Sequence, residues 1–171
     1  MHRSILIAVA ALCVVSACSK GGGTATANIG PSSGSQVTGQ ATFTEKGGNV
    51  EIVVTVRSLT PGKHGVHIHE NGDCSASNAA SAGGHFNPTG APHGGPESGQ
   101  HHAGDLGNLE AGADGSGTLT ITTDALTVGP GDRSIVGRSI VIHADPDDLS
   151  AGDPAGHSGS RVGCGVIEAA G

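Results

Sequence analysis

With 171 residues the chain is long enough for one domain with a real core, and its make-up excludes several classes at once. Glycine stands at 31 residues, Trp and Tyr are absent, Phe occurs twice and helix-favouring runs are missing, which argues for short strands joined by long loops around Val, Ile, Leu and Ala. A formal charge of −7 argues against a nucleic-acid partner, and ten histidines against eight Lys plus Arg make a metal site worth testing.

The N-terminus carries a separate signal. Arg3, an apolar run from Ile5 to Val15 and a tail of small residues have the layout of a secretory signal. The apolar run is too short to span a bilayer. "VSAC" resembles the lipobox of bacterial lipoproteins, which makes residues 1–17 the signal peptide and Cys18 the lipid-bearing mature N-terminus. That places the protein in the bacterial envelope or periplasm, anchored to a membrane through Cys18. A plain secretory signal cleaved nearby is the alternative. Removal of residues 1–17 leaves seven basic and fifteen acidic side chains, a charge of −8. Cys13 leaves with the signal and Cys18 takes the lipid, so Cys74 and Cys164 remain to pair in an oxidising compartment. Such a bond closes a loop of about 90 residues, for at most ~4–5 kcal/mol on the chain-entropy account.

Residues 18–35 are small, polar and Gly/Ser-rich, and read as a flexible tether containing a candidate first strand over about 24–29. The domain proper covers 36–171. "QVTGQATFTE" and "NVEIVVTVRSL" form a predicted strand pair through "KGG". In the second, Val50, Ile52, Val54 and Val56 share one face, Glu51, Thr55 and Arg57 the other, with Val53 as the exception. "TPGK" is a turn and "HGVHIHE" a short strand. Residues 71–114 hold no sustained period, and a loop of about 40 residues is uncommon unless functional or held in place. Strands resume at "GTLTITT", "RSIVGRSIVIHA" and "RVGCGVIEA", the last two separated by the loop "DPDDLSAGDPAGHSGS". Seven or eight strands without a convincing helix predict an all-β, antiparallel Greek-key sandwich or barrel.

His67 and His69 stand two apart on a strand, so both leave the same face. Alone they would read as polar residues at a strand edge. They are followed by His85, His93, His102 and Asp105 in the long loop and by His143 at the end of a later strand. Imidazole-rich sets suit copper and zinc, and a carboxylate among them is ordinary for zinc. His64 reads as a solvated turn residue, and His101 and His157 as loop surface.

"GVHIHENGDC", "SAGGHFNP", "PHGGP", "HHAGDLGN", "GRSIVIHADPDDL" and "GSRVGCGVIEAAG" resemble, in order, the signature blocks of the Cu,Zn superoxide dismutases, over about residues 25–171. The resemblance implies an eight-stranded Greek-key barrel with long metal-binding and channel loops. It implies one copper and one zinc per chain, dismutation of superoxide to oxygen and hydrogen peroxide, and a homodimer as candidate assembly. The implied copper ligands are His67, His69, His85 and His143. The implied zinc ligands are His85, His93, His102 and Asp105, His102 being chosen over His101 because it lies three residues before the aspartate. His85 would bridge the two ions and supply a proton, Arg161 would hold the anion beside copper, and Asp147 would orient His67 and His93. Cys74 and Cys164 match the family's disulfide. The chain departs from the family in the interval from Asp147 to Arg161, which is short and contains no Lys, so Lys63 becomes a candidate for steering. Cys74, five after His69, resembles the bacterial branch, whereas "HFNP", "HGGP" and "GDLGN" look eukaryotic, and dimer geometry differs between the two. A non-catalytic copper-binding lipoprotein on the same fold is the alternative function.

Overall fold

The computed structural model describes residues 22–151 and 155–171. The expected signal peptide, residues 1–17, and Cys18 lie outside the described residues. Among the described residues there are nine strands: β1 (Thr24–Pro31), β2 (Thr38–Lys46), β3 (Asn49–Arg57), β4 (Gly62–His69), β5 (Asp105–Ala111), β6 (Gly117–Thr123), β7 (Ser139–His143), β8 (Arg161–Val166) and the two-residue β9 (Glu168–Ala169). All named strand pairs are antiparallel. The sheet order is β2-β3-β6-β5-β4-β7-β8-β1, and pairing of β1 with β2 closes it into an eight-stranded barrel with β9 added beside β1. The neighbours β3–β6 and β4–β7 mark the Greek-key crossovers. Closure removes the exposed edges that an open sheet would present.

Alternation on β3 sets the interior. Val50, Ile52, Val54 and Val56 are fully buried, and Ile52 and Val54 stand opposite Phe43 and Ala41 of β2. Val53 is partly exposed on the outer face, as its neighbours Glu51 and Thr55 require. The β2–β3 turn is the two-residue Gly47-Gly48, with φ of 64° and 87°. Positive φ at both positions gives the turn whose twist matches the strands, and glycine accepts it without steric cost.

Several expectations change. The segment 71–114 contains β5, which period-2 reading does not find because six of its seven residues are buried or half-buried with no clean alternation. Its register is interrupted where β4 bulges between Gly65 and His67. "RSIVGRSIVIHA" is a strand only over Ser139–His143, since Gly137 at φ 82° turns the chain just before it. The candidate first strand runs on to Pro31 and belongs to the barrel. His64 is not solvated. It is 2 % exposed, 2.8 Å from the carbonyl oxygens of both Thr60 and His143.

β4 is the strand that carries the site. From His64 to His69 every residue is buried, because Val66 and Ile68 enter the barrel core while the alternate side chains lie beneath the long loops.

Candidate metal centre

His67 and His69 project outward from β4. The ladder to β7 pairs His67 with Val141 and His69 with Ser139, and His143 ends β7 on the same outer face. His85 arrives from the loop, bridged backbone to backbone with His69. Its ring stacks on that of His67 at 3.8 Å between centroids. Ligand atoms of His67, His69, His85 and His143 all lie within 4.8 Å of one another, and so do those of His85, His93, His102 and Asp105. His85 is common to both groups.

Hydrogen bonds fix the tautomers. Asp147 accepts from Nε2 of His67 at 2.7 Å and from Nε2 of His93 at 2.9 Å. His69 Nδ1 donates to the Gly83 carbonyl at 2.9 Å, and His143 Nδ1 to that of Gly159 at 3.3 Å. Each of these rings therefore points an unprotonated nitrogen inward. Six buried ring nitrogens have no hydrogen-bond partner: Nδ1 of His67, His93 and His102, and Nε2 of His69, His85 and His143. Buried polar atoms left unpaired cost on the order of 1–3 kcal/mol each. Six converging in two groups have one economical explanation, which is that each lone pair faces a cation.

Spacing fits this in the second group. Asp105 Oδ1 lies 2.9 Å from His85 Nδ1 and 3.2 Å from His102 Nδ1, and Oδ2 lies 3.0 Å from His93 Nδ1 without hydrogen-bond alignment. Four ligands about 2.0–2.1 Å from a tetrahedral ion stand ~3.3 Å apart. Asp105 is held for the task by the backbone N–H groups of Gly94 and His102, at 3.1 and 2.9 Å. Protonation is disfavoured at His67, His69, His102, His143 and Asp105. Burial pushes His69 down to about 2 and His143 to about 4, and holds His67 well below the ordinary imidazole value, with neighbouring rings and, for His69 and His143, Arg161 adding to it. His102 is lowered, again chiefly by burial. Burial alone would raise Asp105, but the hydrogen bond from His85 and the charges of His93, His102 and His85 outweigh it and keep it ionised. Neutral imidazole and ionised carboxylate are the forms that bind metal.

Arg161 opens β8 opposite His143. Its Nη1 and Nη2 donate to the carbonyls of Ala79 and Gly83 at 2.7 and 2.6 Å. The Gly83 carbonyl thus serves both Arg161 and His69. The Cys74–Cys164 disulfide spans 90 residues and ties that loop to β8, three residues beyond Arg161. Lys63 is exposed opposite Glu110, four residues or about 13 Å along β4 from His67. His101 turns away to bond the His102 carbonyl, and exposed His157 pairs with Asp148 at 2.7 Å.

Two further residues support the site. Asn108 bonds both the carbonyl and the N–H of Asp147, at 2.9 and 2.7 Å, and so locks the aspartate's backbone to β5. Gly156, at φ 62°, leaves the space in which the Asp147 carboxylate sits, since a Cβ there would collide with Asp147 Oδ1. Asn108 lies in the motif "GDLGN", three residues after Asp105, and a polar amide set between Leu106 and Leu109 is the signal that points to it.

The copper/zinc superoxide dismutase (SODC) family model matches residues 37–167. Superoxide dismutase [Cu-Zn] 2 of Brassica juncea is 45% identical over 137 residues, covering 77% of this chain and 89% of that protein.

Proposed function

Because the chain belongs to the copper/zinc superoxide dismutase family, we propose that it dismutes superoxide in the bacterial cell envelope, with copper on His67, His69, His85 and His143 and zinc on His85, His93, His102 and Asp105. Bound copper supplies a one-electron redox couple, and zinc a redox-inert charge. The balance is two superoxide anions and two protons in, one oxygen and one hydrogen peroxide out, one anion oxidised and the other reduced.

The chain's own groups organise this. Asp147 holds the His67 and His93 rings with a single carboxylate, so the two halves of the site keep a common geometry. His85, common to both groups, would be held by both ions, and its Nε2, which has no hydrogen-bond partner, is the atom suited to carrying a proton to the product. Arg161 spends two N–H groups on carbonyls, and its remaining donors and its charge receive a small anion. A protein that merely buffers copper would not need a guanidinium fixed in this way. The observation that carries the reading is the set of six unpartnered inward nitrogens in two groups sharing His85. Superoxide consumption by purified protein loaded with both metals tests it, together with elemental analysis. One copper and one zinc per chain are expected; saturation at a single metal refutes the two-centre assignment.

The envelope assignment rests on Arg3, the apolar run and "VSAC", with Cys18 as the acylated residue. The disulfide supports it, because such bonds persist in oxidising compartments. Acyl labelling and membrane fractionation of wild type and Cys18→Ser test it; a wild type without lipid overturns the anchor.

A further inference from the structure

The start of β1 and the Arg161 edge of the metal site lie far apart along the strands, with His67 and His69, level through β7 with Cys164 and Val166, between them. At the start of β1, the Glu45 N–H donates to the Gly23 carbonyl and the Ala170 N–H to the Thr24 carbonyl, both at 2.9 Å. The exposed tip of the β2–β3 hairpin, Lys46 to Asn49, lies at this end. β1 then runs antiparallel to β8, with Gly30 opposite Cys164 and Pro31 opposite Gly163. Beyond it the Ser32 N–H reaches the Val162 carbonyl at 3.0 Å, and the Ser33 N–H that of Ser77 at 2.7 Å. Arg161 is two residues further out than Gly163. From Thr24 to the level of Arg161 is therefore roughly 25–30 Å along the strands.

Six residues lead from Cys18 to Thr24, a reach of at most ~22 Å even fully extended. We infer that the anchored protein stands on its β2–β3 hairpin end, with that end against the lipid headgroups and the Arg161 end held out in the aqueous phase. This rests on Cys18 being the lipid-bearing residue. A tether shorter than the barrel cannot invert it. Acids accompany bases at both ends, Glu45, Asp124, Asp132 and Glu168 beside Lys46 and Arg133 at the first, and Asp73, Asp145 and Asp148 beside Lys63 and Arg161 at the second, so the tether's length, not charge, sets the orientation.

The partner surface is thus an anionic lipid bilayer, and the orientation has a functional consequence. Headgroup charge is screened over about 8 Å at physiological ionic strength. A metal centre held beyond that distance receives superoxide from water in which the membrane no longer repels the anion. With few cations at the site end, escape from this repulsion replaces part of the attraction that steering residues would otherwise supply.

The experiment places a fluorophore on an azide-bearing residue at position 46 or position 77 of the full mature chain. The acylated protein is bound to vesicles containing an anionic lipid and a lipid whose headgroup carries a contact-range quencher. The dye at 46 should be quenched at least ~threefold more than the dye at 77, because the two lie beyond opposite ends of β1, a strand roughly 25 Å long. Equal quenching, or stronger quenching at 77, in protein that floats with the vesicles overturns the orientation and leaves the anchor standing. Protein that carries no lipid and stays in solution overturns the anchor. The same dyes on chains coupled through Cys18 to a maleimide lipid then read the orientation by itself.

Discussion

Asp147→Ala removes the one carboxylate that joins the two metal groups. Two buried hydrogen bonds disappear, from His67 at 2.7 Å and His93 at 2.9 Å, together with the bond from the Leu149 N–H at 2.7 Å. The two rings are not equally dependent on it. His67 belongs to β4 and is laddered to both β5 and β7, so its backbone keeps the ring near its place. His93 is carried by a loop between the 3₁₀ turn at Ala80–Ala82 and β5, with no strand beneath it. A hydrogen bond to a charged group contributes about 1.5–3 kcal/mol, and 1.4 kcal/mol is a tenfold change in binding. Zinc affinity should therefore fall about 10–100-fold, and copper affinity by less than about tenfold. Competition titration of each metal against a chelator, on protein shown to be folded by its thermal transition, measures both. Zinc affinity within ~threefold of wild type would refute the coupling of the two centres through Asp147.

Other outcomes follow from the same geometry. Arg161→Ala should keep both metals yet slow turnover at least ~tenfold, about 1.4 kcal/mol of barrier, with Arg161→Lys recovering part of the rate; pulse radiolysis at matched metal content decides. Metal-free protein should lose stability as pH falls, because burial lowers His143 to about 4 and His69 to about 2 while the unfolded chain titrates at the ordinary imidazole value. Between ~6.5 and ~4 the unfolded state binds more protons than the folded one, so urea midpoints of the apoprotein should drop steadily across that window. Cys74→Ser should cost about 2–5 kcal/mol of stability in denaturant titration. It should also slow turnover, since the Ala79 and Gly83 carbonyls that hold Arg161 sit on the loop that the disulfide secures.

Local pattern was sufficient for much of the barrel. Period-2 alternation on β3 names the four residues that enter the core, and the two glycines after Lys46 name the turn, because both depend on neighbouring residues alone. The same rule puts His67 and His69 on one face. Strand β5 escaped that reading, because six of its seven residues are covered, by the barrel on one side and the metal loops on the other. Burial of both faces erases the alternation that periodicity detects. His64 escaped for a related reason: a histidine beside a Thr-Pro-Gly turn looks solvated until β7 arrives to supply the carbonyl of His143.

The sequence by itself determined which side chains can bind metal and in what order they occur, since ligand chemistry belongs to each residue type. Only the tertiary structure decided which nitrogen of each ring faces inward, because that choice depends on where the other nitrogen finds an acceptor. For His67 and His93 the acceptor is Asp147, 80 and 54 residues away in the chain. For His69 and His143 it is the carbonyl of Gly83 or Gly159. The span from Thr24 to Arg161 likewise exists only once β1 and β8 lie antiparallel.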